Sequence, residues 1–122
     1  MAGADSGTVS YEELKQLLAN NPNLFLVDVR NKDEWDNGHI PRAIHIQLDT
    51  VEAAFSMNPE DFRAKYGVEK PPLDSPNMVF YCRTGKRSAQ GLCKVKHMGY
   101  VNVRNYPGSY TEWSEREGRG SS

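Results

Sequence analysis

The stretch Met78-Val79-Phe80-Tyr81-Cys82-Arg83-Thr84-Gly85-Lys86-Arg87-Ser88 decides how this chain is read. Its first four residues are rich in β-branched and aromatic types, the composition of a buried strand. From Ser88 to Met98, the residues Ala89, Leu92, Cys93 and Val95 recur at helical spacings, which predicts a helix beginning near Lys86. Between the two lie one cysteine, one glycine and three cations. A strand, a tight loop and a helix start aim the Cys82 thiol and a row of backbone N–H groups at one point, and that makes an anion site.

The chemistry of that point follows from magnitudes. A free thiol has a pKa of about 8.5, so holding it mostly ionised at neutral pH needs a drop of roughly two units, nearly 3 kcal/mol. A helix terminus supplies typically about 0.3–1 kcal/mol and up to about 2 when partly buried. The dipole alone falls short. Curled loop amides and the cations Arg83, Lys86 and Arg87 can supply the remainder, and would equally hold a persulfide anion or the oxygens of an anionic substrate. The competing reading is a core cysteine, since free cysteines are among the most buried residues. Three cations and a glycine within five residues make a poor apolar core, and favour the reactive reading. It requires Cys82 to sit in an open, positively charged cup.

Upstream, Leu24-Phe25-Leu26-Val27 is a continuous apolar run, the sign of a central strand covered on both faces. It ends in Asp28-Val29-Arg30. In a parallel sheet, sites form beyond the carboxyl ends of the strands, where Asp28 and Arg30 stand as Cys82 does. Asp28 is placed either to accept hydrogen bonds from the cysteine loop or to serve the entry of the next helix. Asn31 to Glu34 is a capping signal for a short helix carrying Trp35 and stopping at Gly38, and Ile44-His45-Ile46 is a further strand. Ser10 to Glu13 is another capping box, opening a helix with Leu14, Leu17 and Leu18 on its apolar stripe, after a short edge strand at Thr8-Val9. Asp49 or Thr50 caps a helix through Phe55, and Asn58-Pro59 starts another with Phe62 and Tyr66 one turn apart. Val101-Asn102-Val103 reads as a short strand, and a final helix carries Trp113.

Two signatures carry a resemblance. Cys82, Arg83, Gly85, Arg87 and Ser88 fill every defined position of the pattern Cys-Arg-x-Gly-x-Arg-Ser/Thr, the active-site loop of the rhodanese (thiosulfate sulfurtransferase) family. Asp28-Val29-Arg30, Glu34, Trp35 and Gly38-His39-Ile40-Pro41-Arg42-Ala43 resemble that family's second signature, with Arg42 where glycine is usual. The likeness runs from about Val9 to Trp113, and is strongest toward the single-domain animal members of the thiosulfate–glutathione type, although Arg83-Thr84 is more charged than the pair expected there. It implies a single rhodanese-like α/β domain over residues 8–115, built on a central, mostly parallel sheet of about five strands with helices on both faces. A flexible N-terminus over 1–7 and a frayed tail over 116–122 would flank it.

The resemblance also implies an enzyme of sulfide metabolism, a thiosulfate sulfurtransferase. Cys82 would take the sulfane sulfur of thiosulfate as a persulfide, release sulfite, and pass the sulfur to a thiol acceptor such as glutathione, with thioredoxin a further candidate. Arg83, Thr84, Gly85, Lys86, Arg87 and Ser88 would bind the substrate, with Asp28 and Arg30 in support. The covalent persulfide would replace any cofactor. Related phosphatases use a loop one residue longer, Cys-x5-Arg, so the shorter Cys-x4-Arg cradle argues against a small-anion phosphatase or arsenate reductase. The remaining alternative is a sulfur-carrier or redox-signalling module that acts on a protein partner.

Composition agrees. The 122 residues suffice for one domain with a real core; 25 % are charged and 38 % hydrophobic, and the chain has no apolar run long enough for a membrane span. The N-terminal residues lack the basic start and apolar centre of a secretory signal, so a cytoplasmic protein is expected; a monomer is expected as well. The net charge is −1, yet residues 75–111 hold six cations and no acid, leaving nine cations against sixteen acids elsewhere. Too few aromatics interleave with these cations for a nucleic-acid platform. Two cysteines and three scattered histidines show no metal-ligand spacing. Cys93 would lie about 10 Å along the helix from its start, too far for a disulfide to Cys82, and reads as apolar packing. His39, after a helix-ending glycine, reads as structural rather than as a general base.

Overall fold

A computed structural model describes residues 7–120, with side chains through residue 117. Four strands, β1 (Phe25–Asp28), β2 (Ile44–His45), β3 (Met78–Tyr81) and β4 (Val103–Asn105), form a wholly parallel sheet in the order β2-β1-β3-β4. The helices are α1 (Tyr11–Asn20), α2 (Lys32–Asp36), α3 (Val51–Ser56), α4 (Pro59–Tyr66), α5 (Lys86–His97) and α6 (Ser109–Gly120). Strand residues alternate between two cores. Phe25, Val27, Met78 and Phe80 meet Ala54, Phe55, Phe62, Leu92 and Val95 from α3, α4 and α5. Leu26, Val79 and Tyr81 face Leu14 of α1 and Trp113 of α6.

Both capping boxes form as the sequence indicates. Ser10 and Asn31 each accept a backbone N–H from the glutamate three residues on, and Glu13 and Glu34 return the bond. Asn58 caps α4, with Pro59 as its first residue, and the Phe62 and Tyr66 rings lie 4.8 Å apart. Thr50 precedes α3 but makes no side-chain cap; a 3-10 turn over Leu48–Thr50 leads in instead.

Three expectations need correction. The sheet has four strands rather than about five, because the segment at Thr8-Val9 makes a single parallel bridge to Asn105. β4 starts at Val103, two residues later than the hydrophobic pattern suggests. Val101 is 67 % exposed on the turn that brings Tyr100 into the core. Cys93 is exposed, not packed; the buried stripe of α5 is Ser88, Gly91, Leu92 and Val95. The last helix, α6, runs to Gly120 and is tied to α1 by Lys15–Glu117 at 3.0 Å and Arg116–Glu12 at 3.4 Å. The flexible stretch expected over 1–7 lies, apart from Gly7, outside the described residues, as do residues 121 and 122.

The strand order locates the site. From β1 the chain crosses to β2 on one side, then returns past β1 to β3 and continues outward to β4. The carboxyl ends of β1 and β3 are therefore the topological switch point, where open α/β sheets form their ligand crevice. Asp28 and Tyr81 are register partners there, and the Val29 N–H closes onto the Tyr81 carbonyl at 3.0 Å. Cys82 is the next residue.

Candidate active site

Cys82 sits where β3 gives way to the loop before α5. Gly85 turns that loop with φ +91°, and a Cβ there would lie 2.6 Å from the Pro107 carbonyl oxygen, so only glycine fits. This conformation points the Gly85 N–H at Cys82 Sγ, 3.0 Å away, and brings the Ser88 hydroxyl within 3.5 Å of it. Burial by itself pushes the thiol pKa up. Hydrogen bonds from the Ser88 hydroxyl and from the N–H groups of Ser88, Thr84 and Gly85 outweigh it, and the net shift is downward. The anion is held by dipoles.

The start of α6 fixes Cys82 from the other side. The Cys82 N–H donates to Ser109 Oγ at 3.1 Å, and Ser109 in turn donates to the Tyr106 carbonyl at 2.8 Å. Ser109 is fully buried with φ +54°, a left-handed conformation that costs a non-glycine residue energy. The Cys82 and Arg83 carbonyls accept the N–H groups of Tyr110 and Thr111 at 2.9 and 3.1 Å. The contact of Ser109 with the cysteine was not legible in the sequence.

The cations sort into two kinds. Arg83 and Lys86 are exposed and make no ion pair among the described residues. Arg87 instead forks onto Glu34 of α2, with bonds of 2.7 and 3.0 Å. Glu34, read in the sequence as a capping residue and as part of the second signature, therefore also holds Arg87. The Arg87 guanidinium holds its carboxyl at about 2, well below the usual range. Thr84 is exposed, while Gly85 and Ser88 are buried.

Asp28 and Arg30 form a buried ion pair, 0 % and 4 % exposed at the side chain. Arg30 Nε reaches both Asp28 oxygens at 3.0 Å, Nη2 reaches Oδ2 at 2.7 Å, and Nη2 also donates to the Gly38 carbonyl at 2.7 Å. The Arg30 backbone N–H also donates to Asp28 Oδ1 at 2.9 Å. The carboxylate is thus spent on Arg30, and does not hold the cysteine loop by its own hydrogen bonds. The guanidinium lies 4.4 Å from the ring centre of Tyr110, and that stack lines one wall of a groove of about 450 Å3 shared with Glu34, Arg83 and Thr111. His39 stacks on Trp35 at 3.6 Å with its Nδ1 3.3 Å from the Trp35 carbonyl, which gives it a structural place. His45 donates through Nε2 to the Arg30 carbonyl at 2.7 Å.

One feature departs from the open cup inferred from sequence: Cys82 is only 1 % exposed. Its sulfur lies inside the loop, beside the Gly85 N–H and the Ser88 hydroxyl. Around it the loop's Arg83, Thr84 and Lys86 are exposed and Arg87 is half-exposed.

Residues 10–116 match the model of the rhodanese-like domain. The chain is 44 % identical over 117 residues to the human thiosulfate:glutathione sulfurtransferase, covering 96 % of this chain and 99 % of that one. It is 34 % identical over 110 residues to the Saccharomyces cerevisiae protein of the same name, covering 89 % and 78 %. The solved structure of the human single-domain sulfurtransferase TSTD1 superimposes with a TM-score of 0.85 at 42 % identity, over 89 % of this chain and 96 % of that one. With its cysteine loop at the switch point of a parallel sheet and its likeness extending over nearly its whole length, the chain belongs to the rhodanese-like domain family.

Proposed function

We propose that this protein is a thiosulfate sulfurtransferase that moves sulfane sulfur through a Cys82 persulfide to glutathione. The carrying observation is the Gly85 N–H directed at Sγ from 3.0 Å inside a four-residue Cys-to-Arg loop. In the first step the Cys82 thiolate attacks the outer sulfur of thiosulfate. The new S–S bond forms as the S–SO3 bond breaks, and sulfite leaves with the bonding pair. The persulfide terminus inherits the negative charge and the loop N–H groups. In the second step the glutathione thiolate attacks that outer sulfur, forms glutathione persulfide and returns Cys82 as a thiolate.

The side chains divide this work. Arg83 and Lys86, exposed and without an ion pair among the described residues, draw the doubly charged thiosulfate to the loop and face the acceptor carboxylates. Arg87 acts through the loop's shape, being already engaged with Glu34. Thr84, Gly85 and Ser88 supply the donors around the sulfur. Asp28 and Arg30 support the crevice wall and leave the sulfur alone. The transfer needs neither metal nor organic cofactor, and we place it in the cytoplasm, in a monomer, with thioredoxin as a further acceptor. No described helix is long and apolar enough to cross a membrane.

The cover over Cys82 favours one rival, a carrier that surrenders its sulfur only when a protein partner opens the loop. Sulfite release from thiosulfate, measured against cyanide, glutathione, cysteine and thioredoxin, decides between them. Saturable release with glutathione supports the enzyme; a stable persulfide with negligible release to every small thiol supports the carrier.

A further inference from the structure

Asn105 ends β4 opposite Phe80, and its backbone is held from the side: its N–H donates to the Gly7 carbonyl at 2.8 Å and its carbonyl accepts the Val9 N–H at 2.9 Å. A side chain on so fixed a backbone is a rigid arm. Its Oδ1 accepts the Ser88 hydroxyl at 2.6 Å and its Nδ2 donates to the Gly85 carbonyl at 3.2 Å. Gly85 and Ser88 are the residues whose N–H and hydroxyl lie 3.0 and 3.5 Å from the Cys82 sulfur. One amide therefore grips both. Gly85 gains from such an anchor, because a residue without Cβ has the most backbone freedom to lose.

The Ser88 hydroxyl has one proton and three acceptors in reach: Asn105 Oδ1 at 2.6 Å, the Gly85 carbonyl at 3.2 Å and Cys82 Sγ at 3.5 Å. Against a neutral thiol the short bond to Asn105 is the better one. Against a thiolate or persulfide the charge-assisted bond to sulfur gains strength. We propose that Asn105 is a positioning residue for sulfur transfer, holding the Gly85 peptide and the Ser88 hydroxyl where both can serve a negatively charged Cys82 sulfur. This rests on the sulfurtransferase reading for its purpose, but its geometry can be tested without turnover.

The test is the pH dependence of Cys82 alkylation by iodoacetamide, followed in Cys93→Ser so that the exposed thiol is silent, beside sulfite release from thiosulfate. Asn105→Ala is expected to raise the ionisation midpoint by roughly one pH unit and to lower kcat more than it raises KM. Asn105→Asp keeps the outline and the acceptor for Ser88. It loses the N–H on Gly85 and adds charge near the sulfur, so its midpoint should rise further. Combined with Ser88→Ala, Asn105→Ala should add less than its separate effect. Should Asn105→Ala fail to fold by circular dichroism, Asn105→Asp carries the test. A midpoint unmoved or lowered in the folded variants, or full additivity with Ser88→Ala, overturns the positioning role. Loss of sulfite release in the parent chain with the midpoint shift intact would instead overturn the transfer reading and leave Asn105 its role.

Discussion

The loops that leave β1 and β3 start from neighbouring positions in the sheet, yet they handle charge in opposite ways. After β1, Asp28 meets Arg30 in a buried, multiply bonded ion pair, and each charge is cancelled by a fixed partner. After β3, the sulfur of Cys82 receives an N–H and a hydroxyl, with Arg87 of its own loop turned to Glu34. A charge cancelled by a side chain is locked in place. A charge held by dipoles can be exchanged: thiol, thiolate and persulfide can follow one another in the same cup without stranding a buried counter-ion. The first loop builds, and the second reacts.

That contrast can be broken most decisively by deleting the sulfur. Cys82→Ser should abolish sulfite release from thiosulfate while leaving the melting temperature nearly unchanged, and Cys93→Ser should keep most activity. Equal losses in the two variants would remove the distinction between a reactive and a bystander cysteine. The converse variant is Asp28→Ala, which leaves the Arg30 charge buried without its partner. Breaking such a pair costs about 3–5 kcal/mol, so Tm should fall by more than about 10 °C in a thermal melt. A small fall would show that the pair is not what holds the β1 loop.

Intermediate effects come from the pair that joins the two loops. Arg87→Ala should lower kcat/KM for thiosulfate by roughly tenfold, equivalent to about 1.4 kcal/mol, through the loop it shapes. Normal kinetics would make its charge dispensable. The smallest effect concerns Glu34, whose carboxyl lies near 2 in the folded chain against 4.5 ordinarily. A depressed carboxylate contributes stability that is fully present above pH 4.5 and is lost as pH falls toward about 2. The Tm difference between the parent chain and Glu34→Gln should therefore be present at neutral pH, worth about 1 kcal/mol, and vanish near the bottom of that window. A difference independent of pH would mean that the glutamate acts through packing or its cap.

Much of this was legible in the sequence because the signals were local. Met78–Tyr81 is a strand and α5 starts at Lys86, as composition and spacing indicate. Both capping boxes are four-residue patterns and both form. What escaped depends on contacts between distant segments. Ala89 and Cys93 share a helix face, but which face meets the sheet is set by Phe80 and α3, and weakly apolar side chains do not reveal it. Glu34 showed its cap and concealed its bond to Arg87, 53 residues away. The burial of Cys82 depends on how the loop closes over it, which no spacing states. Asn105 left no such sign, because the apolar pattern ends that strand at Val103, two residues short of it.

The central claim is that the sulfur of residue 82 itself carries the transferred atom. Mass spectrometry of the protein after thiosulfate treatment, with peptide mapping before and after glutathione, tests it most directly. One added sulfur should appear on the peptide containing Cys82, equal in amount to the sulfite released, and disappear when glutathione is supplied. Sulfite release with the added sulfur on Cys93, or with no added sulfur at Cys82, would contradict it.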